Sequence, residues 1–146
     1  MLLIAGEFYE NEEKYRKKIL ELKLEKHIQM HSDYIPNEEI STYFSAADVV
    51  VLPCVSATQS AIVPVAYHFN KPVIVTNVGG LAEVVTNGRT GFIVPPQNPQ
   101  AFADAVVKFY EEKCESGFAS NIEKEKKQYS WDTFVERLES LFDRKN

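Results

Sequence analysis

Between Val49 and Val94 the chain carries three short blocks, Val49–Leu52, Val73–Thr76 and Phe92–Val94, in which apolar and β-branched residues stand on consecutive positions instead of alternating. Consecutive apolar positions mark strands covered by helices on both faces, as in a parallel sheet, whereas a sheet with one wet face alternates. Between the first two blocks, Ser56, Thr58, Gln59 and Ser60 make a polar start that opens onto an apolar run ending at Phe69. Strand, loop, helix and strand follow in order, which is one βαβ unit. The pattern predicts a helix start near Ser60, with Pro64 early enough that its missing N–H disrupts little.

Two further strands, Leu2–Ala5 and His27–Met30, precede this stretch. Glu10–Leu24 places Tyr15, Ile19 and Leu22 on one face among charges, the pattern of a surface helix. Asn37 can cap the next helix, with Glu38 and Glu39 at its positive end and Ile40, Tyr43, Phe44 and Ala47 on its core face. Leu81–Val85 suits a short helix, and Asn87-Gly88 a turn into the strand at Phe92. Asn98 and Pro99 cap and start a helix whose apolar face is Phe102, Ala105, Val106 and Phe109. Glu123–Gln128 has the composition of a charged helical linker, and Ser130 that of a cap for a final helix at about 131–142 carrying Trp131, Phe134, Leu138 and Leu141. The predicted class is α/β, a Rossmann-like parallel sheet with helices on both faces, formed by residues 1–146 as a single domain.

Ligands of open α/β sheets collect beyond the carboxyl ends of the strands, so the loops after Ala5, Met30, Leu52 and Thr76 are the informative ones. The loop after Leu52 runs into a helix start, where free N–H groups and the helix dipole favour an anion such as a phosphate. Thr58, Gln59, Ser60 and Ala61 are the residues placed there. Gly6 ends the first strand, as a turn residue or as a point of close backbone approach to a ligand. Gly79-Gly80 allows a tight turn and close approach after the strand ending at Thr76. Tyr34 can stack on a nucleobase or pack against the next helix.

With 146 residues, 45% of them apolar and 25% charged, the chain is long enough to bury a core, and disorder is excluded. A net charge of −5 argues against nucleic acid as a partner, because phosphate backbones are bound by clustered Lys and Arg. Cys54 and Cys114 fit neither a metal site nor a disulfide framework, which suits a reducing compartment and predicts a cytoplasmic protein. No His, Cys or carboxylate cluster has metal-ligand spacing, so neither a metal nor a cofactor is expected. No apolar run has the length of a membrane span, which predicts a soluble chain.

The segments ADVVVLP, NKPVIVTNVGGLAEVV and NGRTGFIVPPQNPQAFADAV, in this order, resemble the carboxyl-terminal domain of the retaining group 1 glycosyltransferases of GT-B architecture. LLIAGEF and YIPNEEISTYFSAADV extend the likeness over nearly the whole chain. The resemblance implies a nucleotide-sugar donor as substrate, with the loop at Gly79 and Gly80 facing it and Glu83 matching the acidic residue of a GGxxE pattern. It also implies an amino-terminal acceptor domain and a central first strand that this chain lacks, Leu2–Ala5 being the second strand and Val49–Leu52 the fourth. On that numbering the two strands should pair directly, or an exposed sheet edge should lead to self-association.

One departure from the family pattern is chemical. The family's two glutamates, associated with the donor sugar and the ribose, fall on Ala57 and Val65 in an ungapped count back from Lys71-Pro72. Neither side chain can hydrogen-bond a hydroxyl. Two functions stay open on this basis: the donor-binding part of a glycosyltransferase acting on a glycan or lipid-linked acceptor, and a non-catalytic nucleotide-binding or interaction module of the same fold.

Overall fold

The computed structural model describes residues 1–58, 60–129, 133, 135, 136 and 138–140. Gln59, the expected cap Ser130 and half of the final helix expected at 131–142, Trp131, Phe134 and Leu141 among it, lie outside the described residues. The chain forms two compact units, Met1–Tyr43 and Phe44–Asn146.

In the first unit, β1 (Leu2–Ala5) and β2 (Ile28–His31) pair in parallel, Leu2 beside Ile28 and Ala5 beside His31. The ladder continues past both strand ends, with Leu2 N–H donating to His27 C=O at 2.8 Å and Gly6 N–H to His31 C=O at 3.0 Å. The crossover between the strands contains α1 (Glu13–Glu21), shorter than the amphipathic pattern suggested. No residue of this unit is fully buried, and Tyr15 and Leu22 on the expected inner face of α1 are exposed while Ile19 is half-buried. A sheet of two strands has too little apolar surface to enclose side chains, so the unit is held chiefly by its ladder and by polar contacts. Helix α2 (Asn37–Ala46) carries the chain into the second unit.

The second unit holds the core. Its parallel sheet has the order β3-β4-β5, formed by Val50–Leu52, Val73–Thr76 and Gly91–Val94. All four residues of β4 are buried because it is paired on both edges and covered on both faces. Val73 and Val75 point into a cluster with Val63, Ala66 and Tyr67 of α3 (Ile62–His68), Leu81 of α4 (Leu81–Val84), and Ile122. Ile74 points the other way, towards Phe92 and Val94, Ala105 and Phe109 of α5 (Pro99–Glu111), and Phe118. The consecutive apolar pattern of Val73–Thr76 is thus the signature of a strand that faces two cores. The Asn98 side chain accepts a hydrogen bond from Ala101 N–H at 3.0 Å, the capping bond that its position before Pro99 implied.

Two expectations need correction. Helix α3 starts at Ile62 instead of near Ser60, because Ser60 is drawn into a turn in which its hydroxyl oxygen accepts from Ile62 N–H at 3.2 Å. The supposed charged linker Glu123–Gln128 is the end of α6 (Cys114–Glu125) followed by a 3-10 turn, and α6 is a core helix, with Phe118 in one cluster and Ile122 in the other. Within each unit the ladders, β1-β2 in the first and β3-β4 and β4-β5 in the second, join strands that follow one another through a single crossover.

A buried hydroxyl network closes the turn before β5. Thr90, with 0% of its surface exposed, accepts from Tyr67 O–H at 2.7 Å and from Thr86 N–H at 2.9 Å. Thr90→Val keeps the shape and removes this acceptor from two donors. A loss of about 2 kcal/mol is expected, measured as a lower urea midpoint with an unchanged slope.

Candidate functional site

The carboxyl ends of β3 and β4 carry two loops that the structure ties together. Thr76, the last residue of β4, donates its hydroxyl proton to Cys54 C=O at 2.6 Å, which fixes the start of the loop after β3. Farther along, Gly80 N–H donates to Thr58 C=O at 2.9 Å. Between these bonds Gly79, at φ +48°, lies so close to the other loop that a Cβ built on it would sit 1.6 Å from the Ala57 carbonyl oxygen. No side chain larger than hydrogen fits there. Thr58, Gly79 and Gly80, singled out separately in the sequence, therefore belong to one backbone arrangement, with Ser60 and Ala61 immediately downstream at the start of α3.

The start of α3 offers an anion less than the sequence suggested. Ile62 N–H is satisfied by the Ser60 side chain, and Pro64, third residue of the helix, has no N–H to offer. A ligand at this end would be met by the side chains of Thr58 and Ser60 and by the loop backbone more than by a helix dipole. Glu83 stands exposed in the first turn of α4. Ala57 is partly buried against the core, and Val65 is half-buried on α3.

Gly6 and Tyr34 belong to the other unit and follow β1 and β2. Gly6 has φ +127°, a conformation that side chains other than hydrogen rarely adopt. Tyr34 is 66% exposed, so its ring faces are available for stacking instead of being packed. It lines an open cavity of about 660 Å³ with Glu12, Arg16, His31, Ser32 and Tyr43. The walls are held by their own hydrogen bonds. Ser32 O–H donates to the Glu12 carboxylate at 2.6 Å, and Arg16 pairs with the same carboxylate. These contacts, the Ser32 hydrogen bond first and Arg16 after it, hold the Glu12 carboxyl below its ordinary range. The Gln29 amide nitrogen lies 2.8 Å from His31 Nε2, and the Tyr43 hydroxyl 2.6 Å from His31 Nδ1. With the amide donating, Nδ1 carries the ring proton and donates to Tyr43.

The sequence singled out Tyr34 but missed Glu12, Arg16, Ser32 and the His31–Tyr43 pair. The signal was present, since His31 and Ser32 stand at the carboxyl end of a strand, but pairings across 20 and 12 residues have no period to betray them. Two other groups with displaced titration lie away from these loops: burial, then Asp48, pushes the Tyr110 phenol up, and burial, then Glu112, raises the Cys114 thiol. Among the described residues no group of three or more His, Cys, Asp or Glu side chains could hold a metal ion, and no helix is long and apolar enough to cross a membrane.

Comparison with known proteins gives this geometry a context. The D-inositol 3-phosphate glycosyltransferase of Corynebacterium urealyticum is 31% identical over 108 residues, covering 73% of this chain and 26% of its own length. Among solved structures, a sucrose-phosphate synthase from Thermosynechococcus elongatus superposes with a TM-score of 0.80 at 24% identity, over 98% of this chain and 37% of that one. HepE of Anabaena, in complex with UDP, also reaches 0.80, at 21% identity over 97% of this chain and 40% of that one. The chain thus spans well under half the length of each of these relatives. The family model described as "Glycosyl transferases group 1" matches residues 1–112 of the 146, the span that holds both loop systems, and on that match the chain belongs to the group 1 glycosyl transferases.

Proposed function

We propose that this chain is the donor-binding part of a glycosyltransferase that moves a sugar from a nucleotide-sugar to a glycan or lipid-linked acceptor, the acceptor being held by an amino-terminal domain as in a two-domain enzyme. The observation that carries this reading is the paired loop system after β3 and β4, where Gly79 fits against Ala57 with no room for a side chain, inside the span matched by the family. The diphosphate of the donor is assigned to Thr58–Ala61, Gln59 included, with the backbone at Gly79 and Gly80 beside it and Glu83 nearest the sugar. Within the first unit, the exposed ring of Tyr34 is suited to stacking on a nucleobase and Gly6 to close backbone approach by a ligand. Transfer from such a donor requires stabilising the leaving diphosphate with preorganised donors and placing the acceptor hydroxyl in line with the anomeric carbon. The cytoplasm is where such a donor is assigned, with a lipid-linked acceptor as the only tie to a membrane.

The alternative is a non-catalytic module of the same fold, and a specific observation favours it: apolar Ala57 and Val65 stand where the resemblance puts the glutamates. Calorimetric titration with UDP, GDP and ADP separates both from a purely structural role. UDP comes first, since HepE of Anabaena, which shares the fold, is solved with it. Saturable binding with a Kd in the micromolar range is expected, and Ser60→Asp is expected to weaken it at least about tenfold, because a fixed carboxylate beside the diphosphate repels it. No binding of any nucleotide would overturn the donor site, and an unchanged Kd in Ser60→Asp would overturn its placement. Sugar release from a labelled donor, measured with the chain joined to an acceptor domain, distinguishes the enzyme from the module. Self-association through an exposed sheet edge is a further assignment, to be tested by light scattering over a range of concentrations.

A further inference from the structure

The matched family span ends at residue 112, yet the segment after it packs against α3 and the turn before β5 within the second unit. Ile122 of α6 has 0% of its surface exposed and packs in the cluster that contains Val63, Ala66 and Tyr67 of α3. Lys126, just after α6, directs its ammonium to Asn70 Oδ1 at 2.8 Å and to His68 C=O at 3.5 Å. His68 is the last residue of α3, and Asn70, at φ +55°, turns the chain away from it. A cation on the closing carbonyls of a helix is a capping contact, supplied here from a distant segment. The neighbouring Glu125 accepts from Arg89 Nε at 2.6 Å and from Thr86 O–H at 3.1 Å, and Asn121 donates to Arg89 C=O at 3.0 Å. These bonds hold the turn containing Thr90, which receives the Tyr67 hydroxyl from the last turn of α3.

Helix α3 is thereby gripped along its second half while its first residue continues the loop at Thr58–Ala61. At 1.5 Å per residue, a helix of seven residues is a strut of about 10 Å, short enough to pass a displacement of one end to the other without bending. We propose that Lys126, supported by Glu125, is a positioning residue for the loop after β3, setting through α3 where Thr58 and Ser60 stand relative to Gly79 and Gly80. This rests on the donor-site assignment made above for its functional meaning, but not for its geometry.

The test compares the wild type with Lys126→Met and Lys126→Arg, at a temperature where thermal melts show all three fully folded. Backbone amide shifts and hydrogen exchange are measured without ligand, and UDP is then titrated. Expected are altered shifts and faster exchange at Thr58, Gly79 and Gly80 in Lys126→Met, a UDP affinity lowered about fivefold, and recovery of both in Lys126→Arg. Changes confined to 66–72 and 120–127, with a lower Tm and an unchanged UDP Kd, would make Lys126 a mere brace and overturn the proposal. If the wild type binds no UDP, the loop amides alone decide: shifts at Thr58 and Gly80 that Arg restores support positioning, and their absence overturns it.

Discussion

Gly91→Ala is expected to cost about 4 kcal/mol, a large share of the 5–15 kcal/mol that holds a domain of this kind together. Gly91 opens β5 directly opposite Val73, the first residue of the fully buried strand β4. A Cβ on Gly91 would stand 2.1 Å from the Val73 carbonyl oxygen and 3.0 Å from the Val73 side chain. Neither atom can move away: the carbonyl belongs to the ladder, and Val73 has 0% of its surface exposed. Relief would require separating β4 from β5, which would also pull Phe92 and Val94 out of the cluster around Ile74. Overpacking a closed core with a single methyl ordinarily costs about 1–3 kcal/mol, and loss of the strand pairing adds to it. Urea unfolding followed by circular dichroism measures the effect. A midpoint within error of the wild type would mean that β4 and β5 accommodate a methyl group at Gly91 without parting.

The second large effect is expected at Gly79→Ala, and it falls on the site more than on the fold. The clash with the Ala57 carbonyl oxygen at 1.6 Å leaves the two loops no choice but to part, and the φ of +48° adds the strain of a side chain in left-handed backbone. The loops are less buried than the core strand β4, so the expected stability loss is smaller, about 2 kcal/mol. The bond from Gly80 N–H to Thr58 C=O, however, should break outright. On the proposed placement of the diphosphate, nucleotide affinity should then fall by at least about twentyfold, since Thr58 and Ser60 lose their position relative to Gly80. Exchange protection of the Gly80 amide reports the structural part and calorimetry the binding part. Loss of protection with unchanged nucleotide affinity would mean that this loop pair does not form the donor site.

These effects bear on the missing glutamates. With Ala57 partly buried and Val65 half-buried, the hydroxyls of Thr58 and Ser60 and the loop backbone are, among the described residues, polar groups near the start of α3. Backbone groups recognise a diphosphate well but discriminate poorly among sugars, because they lack the reach and the paired lone pairs of a carboxylate. The loops are nonetheless closely held, by Thr76 on Cys54 at 2.6 Å and Gly80 on Thr58 at 2.9 Å. Such preorganisation is the property that a site relying on backbone donors requires.

The amino-acid sequence by itself determined the α/β class, the position of every strand to within a residue, and the start of α5 at Asn98-Pro99, because apolar runs, caps and prolines act within a few residues of where they stand. It also determined that no carboxylate would stand at Ala57 in the loop after β3 or at Val65 on α3, since that is a matter of residue identity alone. It left α6 unseen: Phe118 and Ile122 have helical spacing, but Ser116, Gly117, Ser120 and Asn121 around them are weak helix formers, and only the two core clusters they enter show why that helix forms. The start of α3 was misplaced for a related reason, since both Ser60 and Ala61 are acceptable first residues and the choice was made by the Ser60 turn. What only the tertiary structure decided is the fit of Gly79 against Ala57, the grip of Lys126 and Glu125 on α3 and its neighbouring turn, and the ties from Glu12 to Ser32 and from His31 to Tyr43. Each joins residues far apart in sequence, and their meeting depends on where strands and helices have come to rest, which local propensity does not encode.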